Sequence, residues 1–158
     1  MATSTYLNIP PLKGESTDTA HKDWIEIESF NMSVSQPISG PSGTGGRSAA
    51  RADFSSLGVS KSVDTASCDL NQYCASGKHI AKLELEVCQE TGGKVCYWKY
   101  TLEDVMVQSV STGGGGSGRP MESVSFVFDK IKWEYTAVKN DGSKGAASNK
   151  EWDLKENK

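Results

Sequence analysis

The sequence offers little of what chemistry usually requires. It has two histidines, His21 and His79, and four cysteines, Cys68, Cys74, Cys88 and Cys96, among 158 residues. The cysteines are separated by five, thirteen and seven residues, with no C-x-x-C pair, so the ligand spacing of a zinc site is absent and no metal is expected. A basic excess is also missing: 17 Lys and Arg stand against 20 Asp and Glu, which argues against a nucleic-acid partner. No stretch approaches 18 consecutive apolar residues, so no membrane insertion is expected. The opening Met1 to Pro10 lacks a basic start and a long apolar run, and does not read as a secretory signal. These absences predict a chain made and kept in the cytosol, with reduced thiols, unless it leaves by a route that reads no N-terminal signal.

Catalytic patterns are missing as well. Gly43-Thr44-Gly45-Gly46-Arg47-Ser48 resembles a phosphate loop only faintly, because Arg47 replaces the lysine and no apolar helix follows. His21, in a charged stretch, and His79, after Lys78, read as solvated loop histidines rather than bases. Cys68 sits where a helix N-terminus lowers a thiol pKa, but the residue type also suits a plain first helical position. Glu26/Glu28, Glu84/Glu86 and Glu103/Asp104 read as solvated faces of strands. No catalytic residue, cofactor site or enzyme activity is expected.

What is present is a period of two. Trp24 to Glu28 and Lys82 to Val87 alternate apolar and polar residues, as antiparallel strands wet on one side do. Val95 to Val110 is rich in β-branched and aromatic residues and reads as one long or two broken strands. Val124, Phe126 and Phe128 share one parity; Ile131, Trp133 and Tyr135 share the other, so a bulge or kink at Asp129-Lys130 is predicted to return the second run to the core. One segment has helical spacing: Ser67 is predicted to cap a short helix ending at a left-handed Gly77, with Leu70, Tyr73 and Cys74 on its apolar face. The fold class is therefore mainly β: a small antiparallel barrel of two curved sheets, closed or nearly so, with one short α-helix at the side. The domain is placed at residues 1–138, followed by a polar C-terminal tail, 139–158.

Two loops interrupt this pattern, a long Gly/Ser/Pro segment at 35–53 and a glycine-rich one at 111–120; together they hold nine of the sixteen glycines. The first is too long for a mere connector and is the natural candidate for reaching another molecule. Cys88 and Cys96 flank a hairpin turn. A two-residue Gly92-Gly93 loop sets Cys88 opposite Tyr97, whereas a three-residue Thr91-Gly92-Gly93 loop sets it opposite Cys96 and permits a cross-strand disulfide outside the cell. Trp24, Trp98 and Trp133 are assigned by size to the core or a subunit interface.

Several segments, in order and over nearly the whole chain, resemble one family. They are Lys13 to Asp18, His21 to Ile27 and Phe30 to Gln36; Lys61 to Ser67 with Cys74 to His79; Thr101 to Val105; Ser109 to Gly114; and Glu122 to Val124 with Lys130 to Tyr135. The tail with Trp152 and Leu154 is similar too. The family is the haemolysin-coregulated protein (Hcp), the tube subunit of bacterial type VI secretion systems. Cys68 stands where a proline often follows the cap serine, and the 39–52 loop matches only in its glycine content. The resemblance implies a six-membered ring of β-barrels, with rings stacked head to tail into a hollow tube that a contractile sheath expels behind a valine-glycine-repeat spike protein. It implies small effectors chaperoned in the lumen, and a protein cytoplasmic before firing and then secreted without a signal peptide. It places the Phe30 to Ser35 strand near the lumen, with Asn31 as the cargo-contact candidate. Gln36, Pro37, Arg47 and Arg51 are the candidates for ring or stacking contacts. The competing reading is a monomeric β-barrel binding a small ligand inside; an enzyme fused as cargo is disfavoured, since only about twenty polar residues follow Tyr135, too few for a second core.

Overall fold

Alternation becomes strand throughout the computed structural model, which describes residues 2–40, 46–90 and 93–158. In chain order these are β1 (Thr3–Asn8), β2 (Ile25–Ile27), β3 (Ser29–Asn31), β4 (Val34–Ser35), β5 (Asp53–Phe54) and β6 (Leu57–Ser62). Helix α1 (Ser67–Ser76) follows, then β7 (His79–Glu90), β8 (Lys94–Gly113), β9 (Met121–Val127), β10 (Lys130–Val138) and β11 (Lys144–Asp153). Nine strands form one antiparallel sheet along the path β2-β1-β7-β8-β9-β6-β3, with β10 pairing β8 and β11; β4 and β5 pair separately. The ladder does not close into a complete barrel. Its two ends, β2 and β3, are consecutive in the chain, and the Glu28 N–H between them donates to the Ser60 carbonyl at 2.9 Å. The two edges are thus brought together by one continuous run of backbone.

β8 is the hinge of the architecture. Its first half pairs with β7 and β10 at once, and its second half pairs with β9. The two halves meet at Asp104, whose φ of 52° turns the strand. β10 and the end of β9 face β8 in one register, Glu103↔Lys130 and Met106↔Val127, on either side of the break at Phe128-Asp129; a bulge between Val107 and Ser109 then shifts the rest of β9 by one residue. The predicted parity switch is therefore a strand break, and it carries Phe128 and Ile131 both into the core. Tyr135 does not follow them. It is 46% exposed, because β10 has by then passed the packed core and runs toward its hairpin with β11. The core itself is the inward parity of the central strands, Leu7, Leu57, Val59, Leu83, Leu85, Leu102, Val124 and Phe126.

The helix ends as expected, with Gly77 at φ 64° and the Lys78 N–H returning to the Tyr73 carbonyl at 3.1 Å. Leu70 and Tyr73 are buried and Cys74 half-buried, packed against β8. Its start differs from expectation. Ala66 holds the N-cap position without a side-chain bond, and Ser67 is the first helical residue. The Ser67 hydroxyl instead accepts the Asp64 N–H at 2.9 Å, while Asp64 Oδ1 accepts the Ala66 N–H at 3.0 Å. The predicted Phe30 to Ser35 strand is likewise split into β3 and β4.

Residues 139–158 are not a free tail. Lys144–Asp153 pairs with β10 across its length, and Trp152 and Leu154 pack on the core. The segment reads as polar because it is an outer strand with most side chains in solvent. The 35–53 loop, where described, is a two-legged ribbon. Ile38 bridges Ala49, and the Ser39 N–H donates to the Ser48 carbonyl at 3.2 Å. Of the phosphate-loop-like stretch at Gly43 to Ser48, the first half, Gly43 to Gly45, lies outside the described residues.

Candidate functional site

β6 turns Leu57, Val59 and Lys61 inward, so Gly58 and Ser60 face outward. Register then builds two rows across four strands. Ser29 lies beside Ser60, Ser60 beside Ser123 and Ser123 beside Ser111. Next to it, Asn31 pairs with Gly58, Gly58 with Ser125 and Ser125 with Ser109. None of these eight positions is ionisable. A shallow cleft over the rows is lined by Ser29, Asn31, Ser56, Ser60, Ser123 and Ser125. A Cβ at position 58 would lie 2.7 Å from Asn31 Oδ1, so only glycine lets the Asn31 amide lie down across the strand. The face offers hydroxyl and amide groups to a passing surface without the desolvation cost of a charge. Asn31, singled out in the sequence, stands in this field; the serine rows were not foreseen, because they appear only once register is known.

The ribbon carries the other candidates. The Gln36 side-chain amide donates to the Ala50 carbonyl at 2.8 Å, and the Pro37 carbonyl accepts the Ala50 N–H at 3.2 Å, so both residues brace the base of the ribbon. The Arg51 guanidinium donates to the Leu154 carbonyl and ties the ribbon to the C-terminal segment. Arg47 is exposed on the far leg. Val34 and Ile38 are 55% and 60% exposed, two apolar side chains on a segment that is otherwise polar.

Two buried polar clusters escaped the sequence reading. His21 is 2% exposed, not solvated. The segment after β1 folds back over the outer face of the sheet and lays His21 flat on Tyr6, ring centroids 4.3 Å apart, with the edge of Trp24 against it. Its Nδ1 meets Asp18 at 2.7 Å and its Nε2 meets Glu86 at 2.5 Å. Hydrogen bonds from Lys94 and then His21 hold the Asp18 carboxyl down at about 2. Beneath the ring, Cys88 and Cys96 pair across the hairpin as a disulfide, with Cα atoms 3.8 Å apart. This is the three-residue-loop register; Thr91 and Gly92 of that loop lie outside the described residues. The second cluster is Lys61 with Glu122, Asp64 and Ser67, under α1. His79 and Cys68 are exposed, and Glu84 and Glu86 are engaged by Lys82 and Lys99. Trp98 and Trp133 pack on the core rim, whereas Trp24 covers the His21 cluster.

Comparison with known proteins gives one consistent answer. The family model described as type VI secretion system effector, Hcp, matches residues 6–135. Protein hcp1 of Pseudomonas aeruginosa is 34% identical, over 99% of this chain and 98% of its own. A solved structure of a type six secretion system protein superposes with a TM-score of 0.95 at 35% identity, covering 99% of each chain. The crystal structure of Hcp1 from Salmonella typhimurium superposes at 0.81 with 31% identity, covering 100% of this chain and 99% of that one. With a match over most of its length in sequence and in fold, the chain belongs to the Hcp family of the type VI secretion system, a structural family rather than an enzyme family.

Proposed function

We propose that the chain is the repeating subunit of the secretion tube. Six copies close into a ring, rings stack head to tail, and the hydroxyl face of β3, β6, β9 and β8 lines the lumen. There it holds small effectors before a contractile sheath drives the tube outward behind a valine-glycine-repeat spike protein. The protein waits in the cytoplasm and leaves with the tube, so no N-terminal signal is read. The subunit contributes surface, not catalysis.

The observation that carries this reading is the pair of charge-free rows. A conduit wall must bind cargo well enough to retain it and loosely enough to release it. Neutral hydrogen-bonding groups meet both demands, since each contributes only about 0.5–1.5 kcal/mol net. The ribbon at 36–52, with Ile38 exposed on it and Val34 exposed on the adjoining β4, supplies the apolar contact by which one copy meets the next. The competing small-ligand barrel finds its interior filled by Leu7, Leu57, Leu85, Leu102 and Phe126.

Light scattering of the purified chain with negative-stain imaging tests the reading. Rings with a central hole are expected, and Asn31→Arg is expected to keep the rings while losing co-purifying effector. A strict monomer at every concentration, at neutral pH and moderate salt, defeats the tube.

A further inference from the structure

We propose that His21, Glu86, Cys88 and Cys96 are the ligands of a zinc-type metal site that forms when the Cys88–Cys96 disulfide is reduced. One ligand atom from each of the four lies within 4.8 Å of every other. His21 Nε2 stands 3.7 Å from Cys96 Sγ and 3.9 Å from Cys88 Sγ. A tetrahedral zinc with bonds of roughly 2.0–2.3 Å separates a nitrogen from a sulfur ligand by about 3.6 Å, so these two spacings already fit. Glu86 Oε2, at 2.5 Å from the same nitrogen, must draw back by about 1 Å to leave room for an ion. The two sulfurs, once unbonded, need only turn about their χ1 bonds, because their backbones already face each other in register.

Surroundings favour a metal over a merely packed histidine. Asp18 accepts from Nδ1 at 2.7 Å, which aims Nε2 at the sulfurs in the carboxylate–histidine–metal arrangement common to zinc sites. Lys94 holds Asp18, and Lys99 lies 3.4 Å from Glu86 Oε1, so two cations balance a cluster of two thiolates and one bound carboxylate. Two sulfurs, one imidazole and one carboxylate select zinc over calcium or magnesium, which take oxygen ligands. The spacing in sequence conceals the set, since the ligands come from β7, β8 and the segment folded over them.

The chemistry balances. A thiol reductant delivers two electrons and two protons, the S–S bond breaks and two thiols form. Zinc then binds both sulfurs as thiolates and releases those two protons; Nε2 coordinates through its lone pair and Glu86 through a carboxylate oxygen. The disulfide and the metal are thus alternative staples for one hairpin, one suited to oxidising and the other to reducing surroundings. The site is complete within one chain and does not depend on assembly.

The test is cobalt(II) titration of the full chain, reduced by a phosphine under argon and compared with the oxidised chain. Reduced protein is expected to bind one cobalt, with thiolate-to-metal charge-transfer absorption and tetrahedral visible bands, both abolished by one equivalent of zinc. Oxidised protein is expected to show neither. Cys96→Ser and His21→Asn are each expected to weaken binding at least tenfold, with circular dichroism checking that the variants fold. Reduced wild-type protein that takes up no cobalt, or a cobalt spectrum without thiolate bands, overturns the proposal without recourse to any variant. Unchanged affinity in folded Cys96→Ser overturns it too.

Discussion

Lys61 follows Leu57 and Val59 on the inward parity of β6, so strand geometry alone carries a lysine into the core. Directly across the ladder, Glu122 of β9 occupies the inward parity with Val124 and Phe126. The two form an ion pair at 0% and 1% exposure, joined by Asp64 at 2.9 Å and by the Ser67 hydroxyl, which donates to Glu122 at 2.8 Å. Desolvating both charges is costly, and the attraction offsets that cost only while every member is present. Lys61→Met is therefore expected to lose about 3–5 kcal/mol, because it strands Glu122 without a counter-ion. Adding Glu122→Leu is expected to restore most of the loss, since an apolar pair of similar volume removes the stranded charge. Urea denaturation of the two variants checks this; a single variant as stable as wild type shows that the pair contributes nothing. Glu122 Oε2 has no partner among the described residues, which makes this carboxylate the group most exposed to such a change.

At the scale of elements, the ribbon between β4 and β5 separates folding from assembly. Among the described residues its legs hydrogen-bond to each other, and Arg51 ties them to the C-terminal segment. Deleting Gly40 to Arg47 joins Ser39 to Ser48, whose backbones are already hydrogen-bonded at 3.2 Å, so a tight hairpin closes without disturbing β4 or β5. The deletion is expected to leave the melting temperature within a few degrees of wild type while shortening or abolishing stacked rings in electron micrographs. Long tubes of normal appearance refute the ribbon's role. The same scale shows what a sequence can and cannot carry. β7 and the helix stop at Gly77 were legible because a period of two and a glycine at a left-handed position are local signals. β11 was not, because an outer strand bathed in solvent lacks the apolar alternation that marks a strand. The hairpin from β7 to β8 holds both weighed registers: Cys88 faces Cys96 near the turn, and beyond the extra residue Tyr97 the pairing shifts to Val87↔Trp98. The His21 cluster was invisible for a different reason: Asp18, His21, Glu86 and Cys96 meet only when the segment after β1 folds across two strands.

For the whole molecule, the decisive quantity is the charge of the hydroxyl face multiplied by the number of copies that share it. A single carboxylate on an exposed strand changes the stability of one chain by no more than about 0.5 kcal/mol. In a closed ring the same substitution becomes a belt of like charges around a narrow lumen, where low-dielectric walls concentrate the field. Ser125 is suited to the experiment, since it lies beside Gly58 and Ser109, with no ionisable neighbour in its row. Ser125→Glu is expected to leave the ring intact and reject acidic effectors, and Ser125→Lys to reject basic ones. Both effects should fade as salt rises, because screening shortens the reach of the belt to a few ångströms near molar ionic strength. Co-purification of an acidic and a basic effector with each variant, at low and high salt, reads the result. If the rows instead face outward from the ring, the charge is diluted in bulk solvent, and neither substitution discriminates between the two cargoes at any salt.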